Sequence, residues 1–295
     1  MKRFYPLLVA LMLIAVPACD GEPAEPDQLS ILVSTSILGD IVENVVDGKA
    51  MVDVLIPVGA DSHDYSPSSA QVAAMHQADL VILIGLGLEE GMADVVEGLD
   101  GVEVFEIGPL LGPIPLTDSQ NPDPHVWMDP LRMAGGAKLI GIELSTIAPD
   151  QEWTKGAEAY AAELEELDGE IVNILGGVPE SQRGMVTNHD SLGYFADRYD
   201  FEVIGTVIPG GSTMDEPSSA ELADLVAVMR ETGTTVIFGE TTRPDLLARA
   251  VAMELGDDVK VVDLYTESLG APGSQAETYV GMLRVNAQLV AGSLS

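Results

Sequence analysis

The chain carries four histidines, His63, His76, His125 and His189, and a single cysteine, Cys19. Imidazole is the commonest protein ligand for zinc and also suits other first-row divalent metals. One thiol permits neither an internal disulfide nor a multi-cysteine zinc site. Metal chemistry in this chain therefore has to run through imidazole and carboxylate.

His125 sits in NPDPHVWMDP, residues 121–130. The prolines stiffen this loop, and a stiff loop loses less entropy when it presents a ligand. Asp123 and Asp129 flank the histidine and are placed to orient its ring from behind. His63 sits in GADSHDYSP, residues 59–67, just after an apolar run at 52–57 that reads as a strand. His189 sits in TNHDS, residues 187–191, after a second strand-like run at 184–187, with Asp190 beside it. In open α/β sheets, ligands bind beyond the carboxyl ends of the strands. His76 differs: it lies inside the helical pattern of residues 69–78 and reads as a solvated helix position. Three histidines on loops from both halves of the chain imply a site in the cleft between two domains. The fourth ligand must be a carboxylate; Glu240, Asp263 and Glu267 all follow strand-like runs in the second half.

Those loops need a frame. In the first half, strand patterns at 29–34, 52–57, 80–84 and 102–107 alternate with helical patterns at 37–46 and 69–78. In the second, strand patterns at 184–187, 203–207, 235–238 and 259–264 alternate with helical patterns at 191–199, 218–232, 243–255 and 277–294. Such alternation predicts α/β lobes with mainly parallel sheets. Between them, residues 150–175 are rich in Ala, Glu and Leu, with Leu164, Leu167, Ile171 and Leu175 at helical spacing. At ~1.5 Å per residue this helix spans about 39 Å, roughly a whole domain. The expected architecture is two α/β lobes with four-stranded sheets, at 29–148 and 178–295, joined by one long, rigid linker helix at 149–177.

With 295 residues and 46% hydrophobic content, the chain is long and apolar enough for two packed cores. Its 13 basic side chains are outweighed by 48 acidic ones, a net charge of -35. That argues against nucleic acid as a partner, because phosphate binding needs a basic face. Like-sign repulsion favours a soluble monomer. Lys2 and Arg3 precede an apolar run that ends in Val16-Pro17-Ala18-Cys19. This is the three-part pattern of a signal peptide over residues 1–18, too short to span a membrane. A small residue directly before Cys19 resembles the bacterial lipobox, and the resemblance implies lipidation at Cys19. The acidic, Pro-containing segment 19–28 then reads as a tether. The expected location is outside the cytoplasm, in the periplasm or on the outer face of the cell membrane, with membrane attachment only through that lipid.

Four segments make the pattern specific: GADSHDYSPS (59–68), NPDPHVWMDP (121–130), VTNHDSLGYFADRYD (186–200) and PGGSTMDEPSSAEL (209–222). In this order they resemble the zinc- and manganese-binding class of ABC-transporter solute-binding lipoproteins. The resemblance implies metal capture and delivery to an ABC-transporter permease, with the ion held between two lobes by His63, His125 and His189. The family's fourth ligand is usually an Asp; here Tyr265-Thr266-Glu267-Ser268 puts Glu267 in its place. Glu240 corresponds to a family glutamate behind the site. Manganese-preferring relatives often carry Glu where this chain has His189, and three imidazoles with one carboxylate suit zinc better than manganese. Zinc is therefore the expected ion and manganese the alternative. No enzymatic activity is expected. Two other classes compete: an extracytoplasmic zinc hydrolase, and an adhesion or scaffold lipoprotein with a structural metal.

Overall fold

The computed structural model describes residues 28–294 apart from Asp118 and Pro244. The expected signal peptide, Cys19 and nearly all of the tether lie outside the described residues.

Two sheets organise the chain. The first contains β1 (Ser30–Val33), β2 (Met51–Val54), β3 (Leu80–Leu83) and β4 (Glu103–Glu106), in the order β2-β1-β3-β4. The second contains β5 (Gly184–Thr187), β6 (Glu202–Thr206), β7 (Val236–Glu240) and β8 (Lys260–Leu264), in the order β6-β5-β7-β8. Every pairing is parallel. The two sheets therefore share one topology, and each sends all its strand carboxyl ends to one edge. Central strands β3 and β7 are buried along their whole length, as a parallel sheet covered on both faces requires.

Helices cover both faces. In the first lobe these are α1 (Ser36–Val46), α2 (Ser69–Met75) and the short α3 (Ala93–Glu97). Next come α4 (Pro130–Ile147) and α5 (Trp153–Leu175), and then α6 (Gly193–Tyr199), α7 (Ser219–Thr232), α8 (Leu246–Leu255) and α9 (Tyr279–Ser293). The lobes repeat a local device as well. Helices α2 and α7 each follow the second strand of their lobe, and each opens with a capping box. Ser68 N donates to Gln71 Oε1 at 2.9 Å, and Ser218 N donates to Glu221 Oε2 at 2.7 Å. In both, the Ser hydroxyl receives the N–H three residues on, which satisfies donors that a helix start leaves orphaned.

The linker is a single helix, as expected, but it starts at Trp153 rather than near 150. Pro149 disfavours helix just before it, and Trp153 Nε1 closes the turn onto Ala148 O at 2.8 Å. The preceding helix α4 was not anticipated, because Gly135, Gly136 and Gly141 and mixed polarity blur its periodicity. It packs antiparallel along α5: Gly141 lies against Ala157, and Lys138 pairs with Glu165 at 3.3 Å.

Two separate cores were expected; the packing is different. The largest core is continuous between the lobes: Ile37, Ile41 and Trp127 from the first, Ala161, Leu164 and Ile171 from α5, and Phe195, Tyr279 and Leu283 from the second. The outer faces of the sheets hold smaller clusters, around Leu55 and Val81 in the first lobe and around Leu225 and Ile237 in the second. The linker helix is thus a shared wall of one core, because its apolar stripe has both lobes to bury against.

Candidate metal centre

Each expected ligand leaves a strand's carboxyl end. His63 lies in the loop after β2. Its N–H donates to Asp61 Oδ1 at 3.0 Å, an Asx turn that sets the backbone locally. His125 lies beyond β4, where Asp123 holds it twice: Asp123 Oδ1 accepts from His125 N at 2.8 Å and pairs with ring Nδ1 at 2.7 Å. That bond to Nδ1 turns Nε2 into the cleft. Tyr194 Oη, from α6, donates to Asp123 O at 2.7 Å and anchors the loop from the other lobe. Gly193 makes room for this: a Cβ there would stand 2.7 Å from Asp123 Oδ2.

His189 follows β5. Its backbone is fixed by Thr187, whose hydroxyl donates to His189 O at 2.7 Å. Its Nδ1 pairs closely with Glu240 Oε1, at the end of β7. Glu267 lies in the loop after β8. The four side chains meet in a buried cluster, with relative exposures of 2% for His63, 0% for His125 and His189, and 2% for Glu267.

One donor atom from each lies within 4.8 Å of every other. The Nε2 atoms of His63 and His125 are 3.4 Å apart, and those of His125 and His189 are 3.1 Å apart. Glu267 Oε1 is 3.4 Å from His125 Nε2 and 3.5 Å from His189 Nε2, and it makes no hydrogen bond. Tetrahedral ligands about 2.0–2.1 Å from a zinc ion stand about 3.3–3.4 Å apart. Four of the six edges, at 3.1–3.5 Å, match that polyhedron and the other two lie within 4.8 Å, and the buried, unpartnered Glu267 Oε1 is the kind of atom a cation satisfies.

The electrostatics point the same way. Burial, opposed by Glu267, pushes the His63 imidazole down to about 3, so that ring stays neutral. Burial also works against charge on His189, but the carboxylates of Glu240 and Glu267 carry it well above 6.5. Burial alone would raise the Glu267 carboxyl; attraction to His125, His63 and His189 instead holds it well below the usual carboxylate range. The site is a pre-assembled set of donors in which the carboxylates of Glu240 and Glu267 favour the protonated form of His189.

The expected orienting residues Asp129 and Asp190 have other hydrogen-bond partners. Asp129 does not reach the His125 ring. It is the N-cap of α4, accepting from Leu131 N at 2.8 Å and pairing with Arg132 at 3.3 Å. The helix start claims its oxygens, whereas Asp123, two residues before the histidine, can fold back onto it. Asp190 acts on His125 through its charge, while its oxygens hydrogen-bond elsewhere. It accepts from Thr117 N at 2.6 Å and ties a first-lobe loop to the second lobe. Asp263, one of the three candidate carboxylates, pairs with Arg249 at 3.6 Å instead. His76 ends α2 rather than sitting mid-helix, and is exposed.

Sequence reasoning missed the bonds that cross the cleft. Trp127 Nε1 donates to Thr266 O at 2.7 Å, linking the residues beside His125 and Glu267. Tyr279 Oη donates to Trp127 O at 2.6 Å. Thr213 Oγ1 donates to Asp61 Oδ2 at 2.7 Å, with Arg243 3.3 Å from the same oxygen. Ser62 Oγ donates to Glu267 Oε2 at 2.5 Å. Each pair is more than 100 residues apart; the only local signal was their closeness to a ligand histidine or carboxylate.

Comparison with known proteins gives a consistent result. The profile of the family described as "ZnuA: Zinc-uptake complex component A periplasmic" matches residues 31–292. The manganese-binding lipoprotein MntA of Halalkalibacterium halodurans is 31% identical over 295 residues, covering 99% of this chain and 97% of the relative. The zinc-binding protein TroA of Treponema pallidum is 29% identical over 293 residues, covering 94% of this chain and 91% of the relative. A solved structure of periplasmic zinc-binding TroA from Treponema pallidum superposes with a TM-score of 0.82 at 28% identity, covering 90% of this chain and 99% of that one.

Proposed function

This chain belongs to the family of the periplasmic component A of zinc-uptake complexes, the metal-binding solute-binding proteins of ABC transporters, and on that premise we propose that its cargo is zinc. The ligands are His63, His125, His189 and Glu267, with Asp123 and Glu240 holding the rings of His125 and His189. The observation that carries this reading is the convergence of four buried donor atoms, from both lobes, within 4.8 Å. Three imidazole nitrogens and one carboxylate oxygen suit zinc's tetrahedral preference, whereas manganese favours more oxygen. The relatives carry both names, manganese-binding for MntA and zinc-binding for TroA, so manganese is the competing cargo.

Capture proceeds by replacing the ion's water with neutral imidazoles and one carboxylate. His189 gives up its proton as the ion arrives. The bonds across the cleft then hold the lobes together around the ion, and a permease partner reads that closed form. Four protein donors supply a complete tetrahedral shell, which supports carriage rather than hydrolysis, since a catalytic zinc keeps a position for water. We further place the first lobe at 29–148, the linker at 149–177 and the second lobe at 178–295. The mature chain is a monomer exported beyond the cytoplasm and anchored through a lipid on Cys19. Among the described residues, no helix is long and apolar enough to cross a membrane.

Titration of the purified protein with zinc and with manganese tests the reading. One equivalent of zinc is expected to bind much more tightly than manganese. Binding weaker than ~10 μM for both ions would end it.

A further inference from the structure

The four ligands are at most 2% exposed, so a bound ion leaves only when the lobes part. Two loops that carry no ligand bridge that line of parting. The first-lobe strap lies between β4 and His125. Leu116 N donates to Asn121 O at 3.0 Å and Asp123 N to Ile114 O at 2.8 Å, so the strap doubles back as a narrow hairpin. The second-lobe strap follows β6 and spans residues 207–217. Each strap is gripped by an aspartate beside a ligand histidine of the opposite lobe. Asp190, next to His189, accepts from Thr117 N at 2.6 Å and from Thr117 Oγ1 at 3.2 Å. Asp61, two residues before His63, accepts from Thr213 Oγ1 at 2.7 Å. Arg243 reinforces the second grip: it donates to Thr213 O at 2.5 Å and lies 3.3 Å from Asp61 Oδ2. The straps also meet, since a Cβ on Gly211 would stand 2.6 Å from the Leu116 side chain.

We propose that this pair of reciprocal clasps, Thr117 on Asp190 and Thr213 on Asp61, sets the rate at which the closed protein releases its ion. This rests on the metal-capture reading and adds the control of release. Asp61 divides its oxygens: Oδ1 accepts from His63 N at 3.0 Å, and Oδ2 takes Thr213. Parting the lobes at this clasp pulls on the turn that places His63. Asp190 joins both straps, because its own N–H donates to Gly210 O at 3.0 Å. Asp61, Asp190 and Thr213 are 6%, 1% and 3% exposed, so water does not replace these bonds until the lobes have begun to separate. The bonds must be broken on the way to opening, before water compensates, and a hydrogen bond to a charged group raises that barrier. Thr117 and Thr213 are positioning residues: they act through the loops that carry His189 and His63.

Release is read by mixing the zinc-loaded protein with excess chromogenic chelator in a stopped-flow experiment. Thr213→Val, which keeps the shape and removes the hydroxyl, is expected to release zinc roughly tenfold faster, the size of one hydrogen bond to a charged group. Thr213→Ser restores the wild-type rate. Thr117→Val is expected to speed release by less, because the backbone N–H of Thr117 still reaches Asp190. The double variant should exceed either single one. The Co²⁺-loaded variants should keep the wild-type visible spectrum, which follows ligand geometry; a general loosening of the site would change it. Unchanged release in a folded Thr213→Val overturns the proposal, as does faster release with an altered cobalt spectrum. If Thr213→Val does not fold, Thr117→Val decides, and unchanged release there overturns the proposal. These failures differ from failure of the capture reading, in which the wild-type protein takes up neither zinc nor cobalt.

Discussion

The two lobes share a strand order yet hold their ligands by different means. In the first lobe, ligands leave the second and fourth strands, and their supports are close in sequence: Asp61 for the backbone of His63, Asp123 for the backbone and ring of His125. In the second lobe, ligands leave the first and fourth strands. His189 is held by Glu240, 51 residues away, at the end of the third strand. The first lobe also buries a glutamate after its third strand, Glu89, but spends it on its own backbone, accepting from Ile84 N at 2.9 Å and Gly85 N at 3.0 Å. Shared topology thus fixes where ligands emerge, while loop chemistry decides which exits are used. The charge state follows. His63 is buried and its imidazole is pushed down to about 3, whereas His189, between two carboxylates, is pushed the other way, well above 6.5.

Removing one ligand from either lobe should have the largest effect. His125→Ala and His189→Ala are each expected to cost more zinc affinity than the roughly 10–100-fold loss typical when an orienting partner is removed. Calorimetric titration checks this, and near-normal affinity in one of them would mean that only one lobe binds the ion. Next come the supports: Asp123→Ala and Glu240→Ala should each lower affinity by about 10–100-fold with the fold intact by circular dichroism. Indifference to Glu240→Ala would show that the distant support is dispensable.

Proton bookkeeping sharpens the contrast further. Zinc binding at neutral pH should release about one proton, read from titrations in buffers of different ionisation enthalpy. Its source is His189, whose imidazole is raised well above 6.5. Glu240→Gln should reduce the release; His63→Ala should leave it unchanged, because His63 is already neutral. Equal effects from both would erase the electrostatic difference between the lobes. The smallest effect concerns Asp245, behind Glu240 in the second lobe, whose carboxyl is pushed up to about 7 by burial and by its hydrogen bond with Asp263. Its folded value exceeds the unfolded 3.8, so its stabilising contribution is full below about pH 4 and is lost as pH rises through about 7. Asp263→Asn should flatten that part of the metal-free protein's stability profile, measured by denaturant titration across the range.

The strands were legible in the sequence because buried parallel strands such as β3 and β7 are short, uniform apolar runs bounded by turns. The histidines were legible because each sits in a polar, Pro- or Asp-marked loop after such a run. Helix α4 was not, since three glycines interrupt its pattern, of which only Gly141 packs closely against α5. The orienting partners were named on two different grounds. Glu240 came from the family resemblance, and Asp129 and Asp190 were placed by proximity in sequence, which says nothing about where a carboxylate points. Contacts such as Ser62 with Glu267 and Trp127 with Thr266 depend on the lobes meeting, and no local pattern encodes them.

Locating the ion by anomalous scattering at the zinc edge, in crystals of the zinc-loaded protein, tests the central claim most directly. One peak is expected, about 2.0–2.1 Å from Nε2 of His63, His125 and His189 and from Oε1 of Glu267. A peak bound by one lobe alone, or one seated away from these four atoms, would contradict it.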